Sequence, residues 1–155
     1  GLLMAARDPR IDAVVSFAAP TDFFGEFVQS VVRETLVYGP PDLPGAAALD
    51  ESVLQPMQSG IQSLDWGRLE LARRSTAWFA ADLPAVQLHH GTADDLVPPS
   101  ETERLITQLA AAGRGEPEVE AHFYAGGGHD PLTMPLAIQR TTQFLLERLQ
   151  AVPLP

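Results

Sequence analysis

The chain has 155 residues and no cysteine, so its length suits one modest domain, and disulfides, thiolate metal sites and cysteine nucleophiles are excluded. Hydrophobic residues make up 45% and charged residues 19%, a balance that supports a packed core rather than a disordered chain. A formal net charge of −10 repels phosphate backbones and disfavours nucleic acid as a partner, and no apolar run approaches the ~20 residues of a membrane-spanning helix.

The opening Gly1-Leu2-Leu3-Met4-Ala5-Ala6 is apolar on all sides and reads as a buried helix that stops near Arg7, ahead of Pro9. It has no charged region before an apolar stretch, so it is not a signal peptide. It reads as an entry point into the middle of a larger domain. Localisation stays open between cytoplasmic and exported, since cysteine-free proteins occur in both settings. Residues 11–19 form a short apolar run closed by Pro20, as expected of a strand buried on both faces of a parallel sheet. Residues 21–80 read as a helical insertion, lid-like in character. It holds a helix from Glu26 to Leu36, a Pro/Gly break at 39–45, and weaker helical segments near 46–58 and 66–80. Both tryptophans, Trp66 and Trp78, fall in it, as core residues of amphipathic helices or as part of a lid.

Residues 84–150 alternate strand, helix, strand, helix. A strand spans Ala85 to His90. Ser100 opens a helix with Glu103 three residues on, the pattern of a capping box, and Gly113 ends it. Alternation of Val119, Ala121 and Phe123 with polar residues predicts a strand over 118–124. A last helix runs from about Met134 to Gln150, with Pro135 in its first turn and Phe144, Leu145 and Leu149 facing inward. Strands alternating with helices imply an α/β fold with a parallel sheet and right-handed crossovers.

In such a sheet every strand ends on one edge, where sites form. Three loops leave that edge: 20–24, 91–99 and 125–131. Between Asp94 and His129, a helix of ~14 residues retreats about 20 Å, and a strand of ~6 residues returns about 20 Å. The two loops therefore end side by side, and the pair suits an acid–histidine dyad. The carboxylate would hold Nδ1–H and free Nε2 to take a proton from a nucleophile. The bland alternatives are a turn aspartate bonding its own backbone and a loop histidine on a glycine hinge; Asp95 is a second candidate for the acid. Asp22, Phe23 and Phe24 are candidate substrate-binding residues, or simply packing against the insertion. His89 and His90 alternate across a strand and cannot share one ligand. His90 reads as a turn-shaping residue and His122 as a polar strand residue. No HExxH-type spacing supports a metal site, and Gly126-Gly127-Gly128 lacks the GKS/T ending of a phosphate loop.

The segment His90-Gly91-Thr92-Ala93-Asp94-Asp95-Leu96-Val97-Pro98 resembles the acid-bearing loop of the prolyl oligopeptidase and dienelactone hydrolase branches of the α/β-hydrolases. Tyr124-Ala125-Gly126-Gly127-Gly128-His129 resembles their histidine loop, and Asp12 to Phe24 their strand after the nucleophile helix. The resemblance implies the C-terminal part of an α/β-hydrolase fold over 1–155, with Asp94 as triad acid and His129 as base. It implies a small-molecule ester or peptide substrate and no cofactor. In that family the serine lies in G-x-S-x-G-G before a buried helix. Gly1 then looks like the last glycine, which puts the serine upstream with the missing N-terminal half and its oxyanion hole. None of Ser16, Ser30, Ser52, Ser59, Ser63, Ser75 or Ser100 has that context. Two functions compete: part of a serine hydrolase, whose isolated segment would be inactive and poorly soluble, or a non-catalytic binding module or degenerate hydrolase.

Overall fold

A computed structural model describes residues 1–150 of the chain; residues 151–155 of the expected 1–155 unit lie outside the described residues. The β-branched and aromatic run Ala13–Phe17 forms β1, Ala85–Gly91 forms β2 and Val119–Tyr124 forms β3. They make a parallel sheet in the order β1-β2-β3, in which Ala13 pairs with Ala85, and Val86 with Val119. All three strands therefore end at one edge, as the alternating pattern requires.

Helices cover both faces. On one lie α1 (Leu2–Ala5), a 3₁₀ segment Thr76–Asp82, and α6 (Ser100–Ala111). Leu2, Ala80, Val86, Leu88, Leu105 and Leu109 form the core between them. On the other face lies α7 (Ala137–Gln150), which packs on β1 and β2. Between β1 and β2 the chain passes through α2 (Glu26–Tyr38), then α3 (Ala46–Leu49), which runs through a π turn, Asp50–Leu54, into α4 (Gln55–Gln58), and finally α5 (Leu64–Arg74). These helices share a second core of Val28, Leu49, Val53, Leu54 and Leu71, with Trp66 packed against it.

Several local expectations change. Met4 is 60% exposed, so α1 is not buried all round. β1 is half-buried along its whole length, since among the described residues it has one sheet neighbour, β2. The predicted capping box is not formed: Ser100 is already helical, Pro99 holds the cap position and no side chain caps the turn. α7 begins at Ala137 because Leu136 takes a left-handed φ of 65°, which leaves Pro135 outside the helix. Of its expected inner residues only Phe144 is buried; Leu145 and Leu149 are exposed. On β3 the alternation holds, but Ala121 and Phe123 face outward. The polar partners Glu120 and His122 lie under α7 beside Gln87 and His89.

Candidate active site

The loops after β2 and β3 meet through their backbones. Thr92 N donates to the Tyr124 carbonyl and Ala93 N to the Gly127 carbonyl, both at 2.9 Å, while Gly126 N donates to Thr92 Oγ1 at 3.0 Å. Gly91 makes this approach possible. A Cβ at that position would stand 2.2 Å from the Gly127 carbonyl oxygen and 2.4 Å from that of Gly128. Such distances allow no side chain at all. A residue with a side chain at 91 would therefore push the two loops apart.

This junction brings Asp94 and His129 together, with His129 Nδ1 2.9 Å from Asp94 Oδ2. The Asp94 side chain is fully buried and the His129 ring is one-third exposed. Asp94 Oδ1 accepts from the backbone N–H groups of Leu96 and Val97, each at 2.9 Å. One carboxylate thus closes its own turn with one oxygen and orients the imidazole with the other, so the turn role and the pairing role coincide in Asp94. Asp95 is exposed and does not reach the histidine. Burial pushes the Asp94 pKa up. The hydrogen bonds from Val97, His129 and Leu96 outweigh it, and the group sits below the ordinary carboxylate range. With an ionised acceptor on one side, Nδ1 carries the proton. Nε2 has no partner among the described residues.

His90 stabilises the same turn from beneath. It is fully buried; its Nδ1 lies 2.6 Å from Thr102 Oγ1 and its Nε2 2.9 Å from the Val97 carbonyl. The carbonyl can only accept, so Nε2 donates and Nδ1 accepts from the threonine hydroxyl. His89 points to the opposite face, as strand alternation requires, and bonds Tyr124 Oη at 2.7 Å and Gln87 Oε1 at 2.8 Å. Burial, with His122 and Arg140 nearby, lowers its pKa to about 4, so it is neutral near pH 7. His90 Nε2 also lies 3.4 Å from Asp94 Oδ2, but among the described residues no three His, Asp or Glu side chains converge as metal ligands would.

The loop after β1 separates the three other candidates. Phe23 lines a cavity of about 310 Å³ that also contains His129. Asp22 is buried; it accepts from Phe24 N at 2.9 Å and pairs with Arg104 at 3.3 Å, so its carboxylate serves the loop rather than the cavity. Phe24 lies outside, stacked on the exposed Trp78 at 5.0 Å. A residue missed by sequence reasoning holds this loop in place: Glu101, on α6, is buried, and its Oε2 accepts from Thr21 N at 2.8 Å and Asp22 N at 3.1 Å. Its position between Ser100 and Glu103, in the first turn of a helix, hid it as one more acidic N-terminal residue. Only the partner loop about 80 residues earlier reveals its role.

No family model and no curated protein sequence matches this chain. Known structures do. A puromycin-hydrolyzing peptidase of Mycobacterium tuberculosis superposes on 99% of the chain with a TM-score of 0.65 and 18% identity. TT1662 from Thermus thermophilus superposes on 97%, with a TM-score of 0.60 and 20% identity. A truncated carbohydrate esterase from gut microbiota superposes on 90%, with a TM-score of 0.58 and 23% identity. The chain spans only 20%, 50% and 43% of those three proteins, respectively. Identity this low speaks to architecture, not to substrate. With three parallel strands, flanking helices and a helical segment between β1 and β2, the chain has the C-terminal part of an α/β-hydrolase fold.

Proposed function

We propose that this chain supplies the acid and the base of a serine hydrolase that cleaves ester or peptide bonds through an acyl-enzyme, in the manner of the prolyl oligopeptidase and dienelactone hydrolase branches. The observation that carries the proposal is the pairing of His129 Nδ1 with the buried Asp94 carboxylate, in a ring that also lines an apolar cavity. Asp94 remains ionised and fixes the Nδ1–H tautomer. His129 Nε2 takes the proton of a serine hydroxyl as that oxygen attacks the carbonyl carbon, then returns it to the leaving alcohol or amine. Water repeats the sequence to free the acid, so no cofactor is required. The serine and the oxyanion donors come from a segment of the protein outside this sequence, and the isolated segment is inactive. The superposed proteins include a puromycin-hydrolyzing peptidase and a carbohydrate esterase, which supports amide or ester cleavage as the reaction class.

The test is fluorophosphonate labelling of the intact protein that carries this segment. Wild-type protein is expected to label covalently, and His129→Gln to label about a thousandfold more slowly. A wild-type protein that does not label is a binding module. Labelling at an unchanged rate in His129→Gln removes the histidine from the chemistry.

A further inference from the structure

The cavity beside His129 carries information about the substrate that the dyad does not. Its walls come from β1's outgoing loop, from α2, from α3 and from the Asp94 turn, and among the described residues His129 is the one ionisable side chain that lines it. The remaining lining residues are Phe, Ala, Pro, Val, Leu and Gly. At about 310 Å³ it lies at the small end of ligand pockets.

We infer that this cavity receives an uncharged, apolar group of the substrate, the size of a phenyl ring or a short acyl chain, attached directly to the carbonyl that is attacked. The inference rests on the serine hydrolase reading and names the substrate class for it. Three features support it. A charged or hydroxyl-rich group entering here would give up water with no polar side-chain partner besides His129, a penalty that selects against sugars, acidic and basic groups. The walls are preformed: Val28 and Leu49 line the cavity and are also buried members of the helical core with Val53 and Leu54. Finally, Leu96 and Val97 form a wall while their N–H groups hold Asp94 Oδ1. The turn that orients the histidine therefore also sets the distance from the pocket to the reacting bond.

The experiment is a chain-length series of p-nitrophenyl esters, acetate through octanoate, with succinate as a charged comparator, on the intact protein. Each buried methylene adds up to about fourfold in kcat/KM. Hexanoate is expected to exceed acetate at least about tenfold, with succinate the poorest. Filling the cavity by Val31→Phe, or independently by Ala46→Leu, is expected to lower the hexanoate-to-acetate ratio at least about tenfold. A protein that labels with fluorophosphonate but shows a flat series, or prefers succinate, overturns the pocket and leaves the hydrolase reading standing. A protein that does not label overturns both. If neither variant folds, the wild-type series decides alone. A ratio that stays unchanged in two folded variants overturns the assignment of this cavity.

Discussion

The two halves of the site are held together in different ways. Residues 84–130 position Asp94 and His129 through parallel strand pairing, the Thr92 and Ala93 N–H groups on the opposite loop and a glycine contact too close for any side chain, with the Thr92, His90 and Asp94 side chains closing the turns. Residues 21–80 build the cavity wall from side chains, with Val28, Leu49, Val53, Leu54 and Leu71 packed in a core of their own. Backbone geometry leaves little room for substitution, because a register or turn either forms or does not. Apolar packing tolerates exchange at similar volume. The comparison teaches that the reacting geometry and the pocket shape are separable within one short chain, joined at the Asp94 turn and at Glu101.

That separation can be broken by mutation. The largest effect is expected from Gly91→Ala. Its methyl group meets backbone atoms of Gly127 and Gly128, so the two loops must part. We expect a loss of about 3 kcal/mol in stability and a fall of about a hundredfold in fluorophosphonate labelling of the intact protein as His129 leaves its place. Wild-type labelling in this variant would show that the loop junction does not set the dyad. Next comes Leu54→Ala, in the helical core and 1% exposed, which should cost a similar or slightly smaller amount, about 2–3 kcal/mol by urea denaturation. The labelling rate of the folded fraction should not change. If labelling collapses along with stability, the two regions are not separable. Glu101→Gln is expected to have the smallest effect. The amide oxygen still accepts from Thr21 and Asp22 but without the negative charge, at a cost of about 1 kcal/mol. Amide exchange at Thr21 should speed up while exchange along β2 does not, and equal acceleration at both would assign Glu101 to general stability instead.

How far the site could be read from residues follows the same division. The three strands, the crossover helices and the meeting of the Asp94 and His129 loops follow from periodicity, turn residues and element lengths, all local signals. The insertion was legible as helical but not as the wall of a cavity. Ser63, which no pattern singled out, caps α5 at 3.1 Å from Trp66 N, whereas the Ser100 and Glu103 pattern caps nothing. The chain enters α6 through Pro98 and Pro99 and makes Ser100 helical, so its hydroxyl cannot sit at the cap. In α7 the apolar residues Leu145 and Leu149 lie off the face that meets the sheet, because at 3.6 residues per turn they sit roughly 100° and 140° around the helix from the buried Phe144. On β3, alternation identified the strand but not which face was covered: α7 packs on the polar side, where His89, Tyr124, Gln87 and Thr141 satisfy one another.

By itself the sequence determined the order of the elements, the parallel sheet and the two loops that bring a carboxylate to an imidazole, because local periodicity, turn residues and element lengths signal each of them, although the contacts themselves span 33 to 72 residues. The resemblance already favoured Asp94 over Asp95, whereas only the tertiary structure decided that Phe23 enters the cavity while Phe24 stacks outside, and that Glu101 holds the loop after β1. These outcomes depend on the direction in which a side chain leaves a turn and on what lies opposite it. The partner stands tens of residues away, where no local pattern records it.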